Sequence, residues 1–341
     1  MRRPARIAAA VLALLALVPA AGAATRPPVW AQNEIATVVG RGLMGADAAS
    51  FRPDEPLTRG ELADLVTGLT GLQQPLPADP TATVTLAELD ARLVRALGLA
   101  DAAATFAAGA RAAGLAPPGR FGSEVVARLL GLRTNHPAGQ DDLELRPNDP
   151  VTRAEAAFSA ARILGLRGSE AERARTAAAS FVLPALTDWQ RRVLARGFWF
   201  VGFPYVWGGE SESRTGPDGP QAQGGFDCSG FVWRVYKLQA YPDAPALAGT
   251  LRGRTTFAMS GEVPRRNRIA FDALQPGDVV FFGAKGPRSK PAQVDHMGIY
   301  AGAGWMVHSS GAGTTLVRLE GWYRQRFAWA RRPLAEAGLA A

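Results

Sequence analysis

Cysteine and histidine are scarce in this chain: one cysteine, at position 228, and three histidines, at 136, 296 and 308, among 341 residues. A single cysteine excludes an internal disulfide, so Cys228 is a spare residue, an intermolecular link or a reactive thiol. So few ligand-type side chains at ligand spacing imply no metal site, and nothing in the sequence implies another cofactor. After residue 23 there is no apolar run long enough to cross a bilayer. Lysine and arginine are scattered rather than striped, which argues against nucleic acid as a partner.

What is present begins with MRRPARIAAAVLALLALVPAAGAA. A basic start, an apolar stretch over 7–18 and the small residues Ala21-Gly22-Ala23 make residues 1–23 a secretory signal peptide. Removing Arg2, Arg3 and Arg6 takes the net charge from +8 to +5. That balance suits work among anionic wall polymers or at membrane surfaces. Exported proteins carry cysteines mostly in pairs, so a lone one in this setting points to chemistry.

From residue 24 to about 167 the chain is Ala-, Leu- and Arg-rich with helical periods, and it repeats itself. FRPDEPLTRGELADLVTGLTGL (51–72) is echoed by LRPNDPVTRAEAAFSAARILGL (145–166). Thr58 and Thr152 are predicted N-caps, with Glu61 and Glu155 three residues on to close capping boxes. A weaker middle copy, VTLAELDARLVRALGL (84–99), keeps Thr85 and Glu88 but has Leu86 in the arginine's place. Such a period predicts stacked helical units. Further helices are expected at 32–41 and 122–132. The blocks resemble S-layer homology repeats. The resemblance implies an all-helical module that docks on anionic cell-wall polysaccharide, with Arg59 and Arg153 either contacting the anion or bracing the capping loop.

Residues 168–184 read as a linker. Beyond it aromatics cluster and strand-type alternation appears, which marks a second domain over 185–333, followed by a tail over 334–341. A helix is expected from Asp188 to Gly202, then PYVWGG (204–209) and a polar loop to Gly225. In GGFDCSGFVWRVY (224–236), Asp227 is a predicted N-cap and Phe231, Val232, Val235 and Leu238 form one apolar face. Cys228 then stands in the first turn, where free N–H groups favour a thiolate. Gly224, Gly225 and Gly230 leave room for another chain near the sulfur.

A nucleophilic cysteine needs a base. His136, in a loop beside Pro137, reads as incidental. VDHMGIYAGAGWMVHSSG reads as a hairpin holding the other two histidines. A loop centred on Gly302 places His296 directly opposite His308 on one sheet face. One ring can then abut the thiol while the other orients it.

These blocks, with LQPGDVVFF between them, resemble the NlpC-type cell-wall cysteine peptidases over about 185–333. The resemblance implies an α+β fold: a papain-like domain, antiparallel sheet on helices, preceded by the all-α repeat module. It implies Cys228, His296 and His308 as the catalytic set. Tyr205 would line the oxyanion region and acceptor site, and Asp227 and Ser229 would flank the amine of a stem peptide. The implied protein is a secreted, wall-associated peptidoglycan hydrolase that cuts an amide bond, often D-γ-glutamyl to diamino acid. An acyltransferase or amidase on the same scaffold, and a non-catalytic wall-binding protein, are the alternatives.

Overall fold

The computed structural model describes residues 30–137 and 139–339; the expected signal peptide lies outside the described residues. Among the described residues the repeat part holds six α-helices: α1 (Gln32–Gly40), α2 (Arg59–Thr70), α3 (Leu86–Ala96), α4 (Ala100–Ala112), α5 (Phe121–Leu129) and α6 (Arg153–Leu164). Thr58, Thr85 and Thr152 cap α2, α3 and α6, each accepting from the backbone N–H of the glutamate three residues on. Just before each cap sits a buried aliphatic residue: Leu57, Val84 or Val151. These three close a ring of backbone hydrogen bonds. Leu57 donates to Val151, Val151 to Val84, and Val84 to Leu57, at 2.8, 2.9 and 2.9 Å. The middle copy therefore takes a full place in the ring, although its motif is the weakest.

The stretch expected as a linker is helix α7 (Gly168–Ala179), packed on α4. Then come α8 (Asp188–Trp199) and four two-residue strands: β1 (Glu210–Ser211), β2 (Thr215–Gly216), β3 (Gly219–Pro220) and β4 (Gly225–Phe226). Helices α9 (Cys228–Tyr236), α10 (Pro245–Thr250) and α11 (Thr256–Gly261) follow. The main sheet consists of β5 (Val279–Gly283), β6 (Val294–Gly302), β7 (Trp305–Ser310), β8 (Gly313–Arg318) and β9 (Phe327–Arg331). It is antiparallel in the order β8-β7-β6-β5-β9. Helix α9 packs against β6 and β7. Helix α12 (Gly321–Arg326) precedes β9, and α13 (Pro333–Glu336) packs on α10 with Leu334 buried, inside the stretch expected as a tail.

The repeat and sheet parts share one core. Phe121 of α5 stacks on Phe198 of α8 at 5.1 Å, and Phe106 of α4 meets Trp305 of β7 at 5.7 Å. Phe181, in the connector, touches both sides, with Trp305 at 5.3 Å and Phe106 at 5.3 Å. Burying large aromatic rings across the junction supplies the main cohesion. Arg128 adds hydrogen bonds to the carbonyls of Gly202 and Ala312.

The hairpin register differs from the expected one. The β6–β7 turn is Ala303-Gly304, with φ of +48° and +80°, the two-residue geometry of a tight hairpin. Ile299 pairs with Val307 and Tyr300 with Met306, with a bulge before Gly302. His308 therefore stands across from Gly298, not His296. A Cβ on Gly298 would lie 2.9 Å from that of His308, so only glycine fits there. The two histidines are diagonal neighbours on one face, still within side-chain reach.

Candidate active site

Helix α9 begins as its sequence predicts. Asp227 caps it, accepting from the Gly230 N–H at 2.5 Å. Cys228 is the first helical residue and is buried. Its Sγ lies 3.4 Å from the hydroxyl of Thr256, the first residue of α11. Leu238 falls beyond the end of the helix, which stops at Tyr236. The three glycines near the sulfur are filled by the chain itself, not left open. A Cβ on Gly230 would strike the Gly209 carbonyl at 1.9 Å, and one on Gly224 the Glu212 carbonyl at 2.2 Å. At Gly225 the obstacle is the side chain of Val206, at 2.6 Å.

His296 and His308 meet through their rings: Nε2 of His296 is 2.7 Å from Nδ1 of His308. That contact leaves Nδ1 of His296 uncommitted. His308 is fully buried, and its Nε2 lies 3.4 Å from the Tyr323 hydroxyl. Phe282, Trp322 and Tyr323 surround the His296 ring at centroid distances of 5.8, 6.3 and 6.1 Å.

The electrostatics differ from a preformed ion pair. Burial pushes the Cys228 thiol up to about 11; the Thr256 hydroxyl pulls it back and the Asp227 charge adds to the rise. Burial lowers His296 to about 4, with no adjacent carboxylate strong enough to offset it. His308 falls well below its ordinary value through burial and the neighbouring ring. Desolvation thus outweighs the helix terminus, and at neutral pH the thiol and imidazole both rest uncharged. The sequence shows the helix start but not how much chain covers it.

Asp227 and Ser229, expected at a substrate amine, hold an arginine. Arg254 Nη1 lies 3.2 Å from Asp227 Oδ1 and 2.9 Å from Ser229 Oγ. Its other nitrogens reach Glu210 and the carbonyls of Gly208 and Gly209. Arg254 is a site residue that the sequence reading missed, as are Thr256 and Tyr323; each acts across more than ten residues of chain. Tyr205 is half-buried, and burial together with the charges of Cys228 and Asp227 raises its phenol. The repeat part grips this loop. Asn135 Nδ2 donates to the Tyr205 carbonyl at 3.1 Å, and Asp141 Oδ2 accepts from the Trp207 N–H at 3.1 Å.

The two repeat arginines differ. Arg153 is buried, bonded to the Phe51 carbonyl at 2.8 Å and paired with Glu61. Arg59 is half-exposed and 3.2 Å from Glu88. Each arginine thus reaches the glutamate of the next copy around the ring. Leu86 cannot, and Glu155 is met instead by Arg133 at 2.8 Å and His136 at 2.9 Å. His136 is therefore a buried ion partner, contrary to its loop position in the sequence. Its Nδ1 also faces Glu144, and the two carboxylates raise it to about 9 against the cost of burial. Among the described residues no group of three or more His, Cys, Asp or Glu could hold a metal ion, and no single helix is long and apolar enough to cross a membrane.

Comparison with known proteins follows this division. Residues 202–332 match the NlpC/P60 family, and residues 24–63 and 138–157 match the S-layer homology domain. A Bacillus subtilis gamma-D-glutamyl-L-lysine dipeptidyl-peptidase is 32% identical over 124 residues, 36% of this chain and 33% of that protein. The probable peptidoglycan endopeptidase LytE of the same organism is 35% identical over 39% of this chain and 31% of its own length. The chain thus spans about a third of these curated relatives. A solved NlpC/P60 family protein from Bacillus cereus is 26% identical over 45% of this chain and 42% of that one, with a TM-score of 0.33. The chain carries an NlpC/P60 family domain joined to an S-layer homology domain.

Proposed function

We propose that the chain is a wall-associated peptidoglycan endopeptidase that uses Cys228 as nucleophile. The observation that carries this reading is that α9, which opens on the chain's only cysteine, packs against the two strands that carry the hydrogen-bonded histidines. The match to NlpC/P60 supplies the substrate class, peptidoglycan stem peptides, and the D-γ-glutamyl–diamino acid bond is the proposed target. Export is part of the proposal.

The steps follow from the atoms. Substrate binding brings a carbonyl carbon to Sγ. The sulfur attacks while its proton passes to Nδ1 of His296, a general-base step suited to a neutral imidazole. The new imidazolium donates through Nε2 to Nδ1 of His308, which requires the His308 hydrogen on Nε2, where Tyr323 stands. Free N–H groups in the first turn of α9 face the developing oxyanion. His296 then returns the proton to the departing amine. Water attacks the thioester and releases the acid, with His296 again as base.

The test is mass spectrometry of muropeptides incubated with the full chain and with Cys228→Ser. One new amine and one new carboxyl terminus, absent with the variant, support the reading. Products joined to an added amine in place of water identify a transferase. No product with either protein refutes hydrolysis. For the repeat module, we propose that it holds the enzyme at an anionic wall polymer, with half-exposed Arg59 the better candidate contact. Pelleting of full-length Cys228→Ser with sacculi, compared with the same chain carrying Arg59→Gln, tests it.

A further inference from the structure

The loop between β5 and β6 leaves the sheet beside the proposed base. Phe282 pairs with His296 and Gly283 with Val294, so residues 284–293 spring from the strand ends that flank the imidazole. Those ten residues contain Lys285, Arg288 and Lys290, all exposed, and no acid. The loop is pinned. Ser289 Oγ accepts from the Lys285 N–H at 3.1 Å, and Gln293 Oε1 accepts from the Lys290 N–H at 3.0 Å. Its first turn, Gly286–Arg288, packs on α12, and its second, Pro291–Gln293, packs on α11. It therefore lies between the helix whose Thr256 touches Sγ and the helix whose Trp322 stands beside His296.

The charges on this side are unbalanced. Among the described residues Lys285, Arg288, Lys290 and the neighbouring Arg324 of α12 have no carboxylate within ion-pair distance. Arg324 lies 3.7 Å over the Phe271 ring. The adjacent acid, Asp295, is taken by Arg326. The bias extends through the C-terminal part: residues 185–341 hold 19 basic against 12 acidic side chains, whereas residues 24–184 hold 16 against 18.

Chemistry decides which half of the substrate meets this lip. The group that protonates the departing amine must stand against the departing half, so residues flanking His296 face the leaving group. The acyl half lies instead over the start of α9, near Tyr205 and Arg254. We propose that residues 284–293 form a cationic lip that binds free carboxylates on the leaving half of the substrate. This deepens the endopeptidase reading and rests on it. Cations fixed around one rim raise the local concentration of anionic substrate and select against its uncharged analogue.

The experiment uses two synthetic stem peptides with one acyl half. In one the leaving diamino acid has a free α-carboxylate; in the other it is amidated. The expected kcat/KM ratio of acid to amide is roughly tenfold at low salt for the full-length protein, a few exposed charge pairs' worth. It should shrink at about 1 M salt, where the screening length is ~3 Å. The triple variant Lys285→Gln, Arg288→Gln, Lys290→Gln should bring the ratio close to one, chiefly through KM for the acid. A wild-type ratio near one overturns the proposal, and so does a triple variant that keeps the preference. If neither peptide is cleaved, it is the hydrolase reading that fails. Binding of both peptides to full-length Cys228→Ser by calorimetry then still reads the lip: tighter binding of the acid, lost in the added triple substitution, supports it, and equal binding refutes it.

Discussion

Two histidines in this molecule, one buried and one half-buried, are driven in opposite directions. His136, in the repeat part, sits between Glu144 and Glu155 and is raised to about 9. His296, on the sheet, has another neutral imidazole as its closest partner and is lowered to about 4. Burial penalises the charged form in both, and only the carboxylates differ. An imidazolium locked between two acids is a structural ion, with no lone pair free to take a proton. A neutral imidazole with one nitrogen uncommitted is a base in waiting. Partners, more than burial, separate structural from reactive histidine.

The sharpest way to break this contrast is at the sheet. His296→Ala should lower kcat by about 10²–10⁴-fold while far-UV dichroism stays unchanged. Cys228→Ser should abolish turnover altogether. If His296→Ala keeps most of its activity, the neutral imidazole is not the base. Next, His136→Ala should leave the buried Glu144 without its ion partner and Glu155 with Arg133 alone, and cost about 3 kcal/mol, read as a lower midpoint in urea. Loss of activity in proportion to unfolded protein, and no more, would mark the role as structural. His308→Asn should reduce kcat by roughly tenfold, since an amide oxygen can still accept from the imidazolium. A loss equal to that of His296→Ala would reverse the assigned roles.

The pH dependence of stability should carry the same signature. His136 has a raised folded pKa, so its contribution is complete below the unfolded value near 6.5 and is lost as pH rises through about 9. His296 has a depressed folded pKa. Its contribution is present above 6.5 and lost as pH falls through about 4. Urea midpoints from about pH 4 to pH 8 should therefore fall at both ends. His136→Gln should flatten the alkaline limb alone; flattening of the acid limb would exchange the two assignments. The smallest expected effect compares the repeat arginines. Arg153→Gln, which strips a buried partner from Glu61, should cost about 2–3 kcal/mol, while Arg59→Gln at the surface should cost under about 1 kcal/mol. Equal costs would mean that the ring positions are energetically alike.

Much of this was legible in the sequence because the signals are local. Thr58, Thr85 and Thr152 announce their helices within three residues, and Asp227 does the same for α9. Rarity singled out Cys228, His296 and His308. What the sequence hid is non-local. The replacement of a ring arginine by Arg133 and His136 depends on Leu86, Glu144 and Glu155 converging from separate segments. Arg254 reaches Asp227 across 27 positions. The hairpin register turned on a bulge and on a non-glycine residue, Ala303, accepting positive φ. The thiol's rise follows from how deeply α9 is covered, which one strand of text does not record.

The aromatic junction of Phe106, Phe121, Phe181, Phe198 and Trp305 has a mechanical consequence. An enzyme on a slack leash sweeps every bond within the radius of its tether. Here the connector is itself a helix seated in the common core, so no slack exists to draw on. Whatever surface holds the repeat module also sets where Cys228 stands, at one height and in one orientation. On the proposed function such a molecule would work as a gauge: it would reach the bonds lying at its own fixed offset, and new bonds would come into range only when the module moved to a new berth.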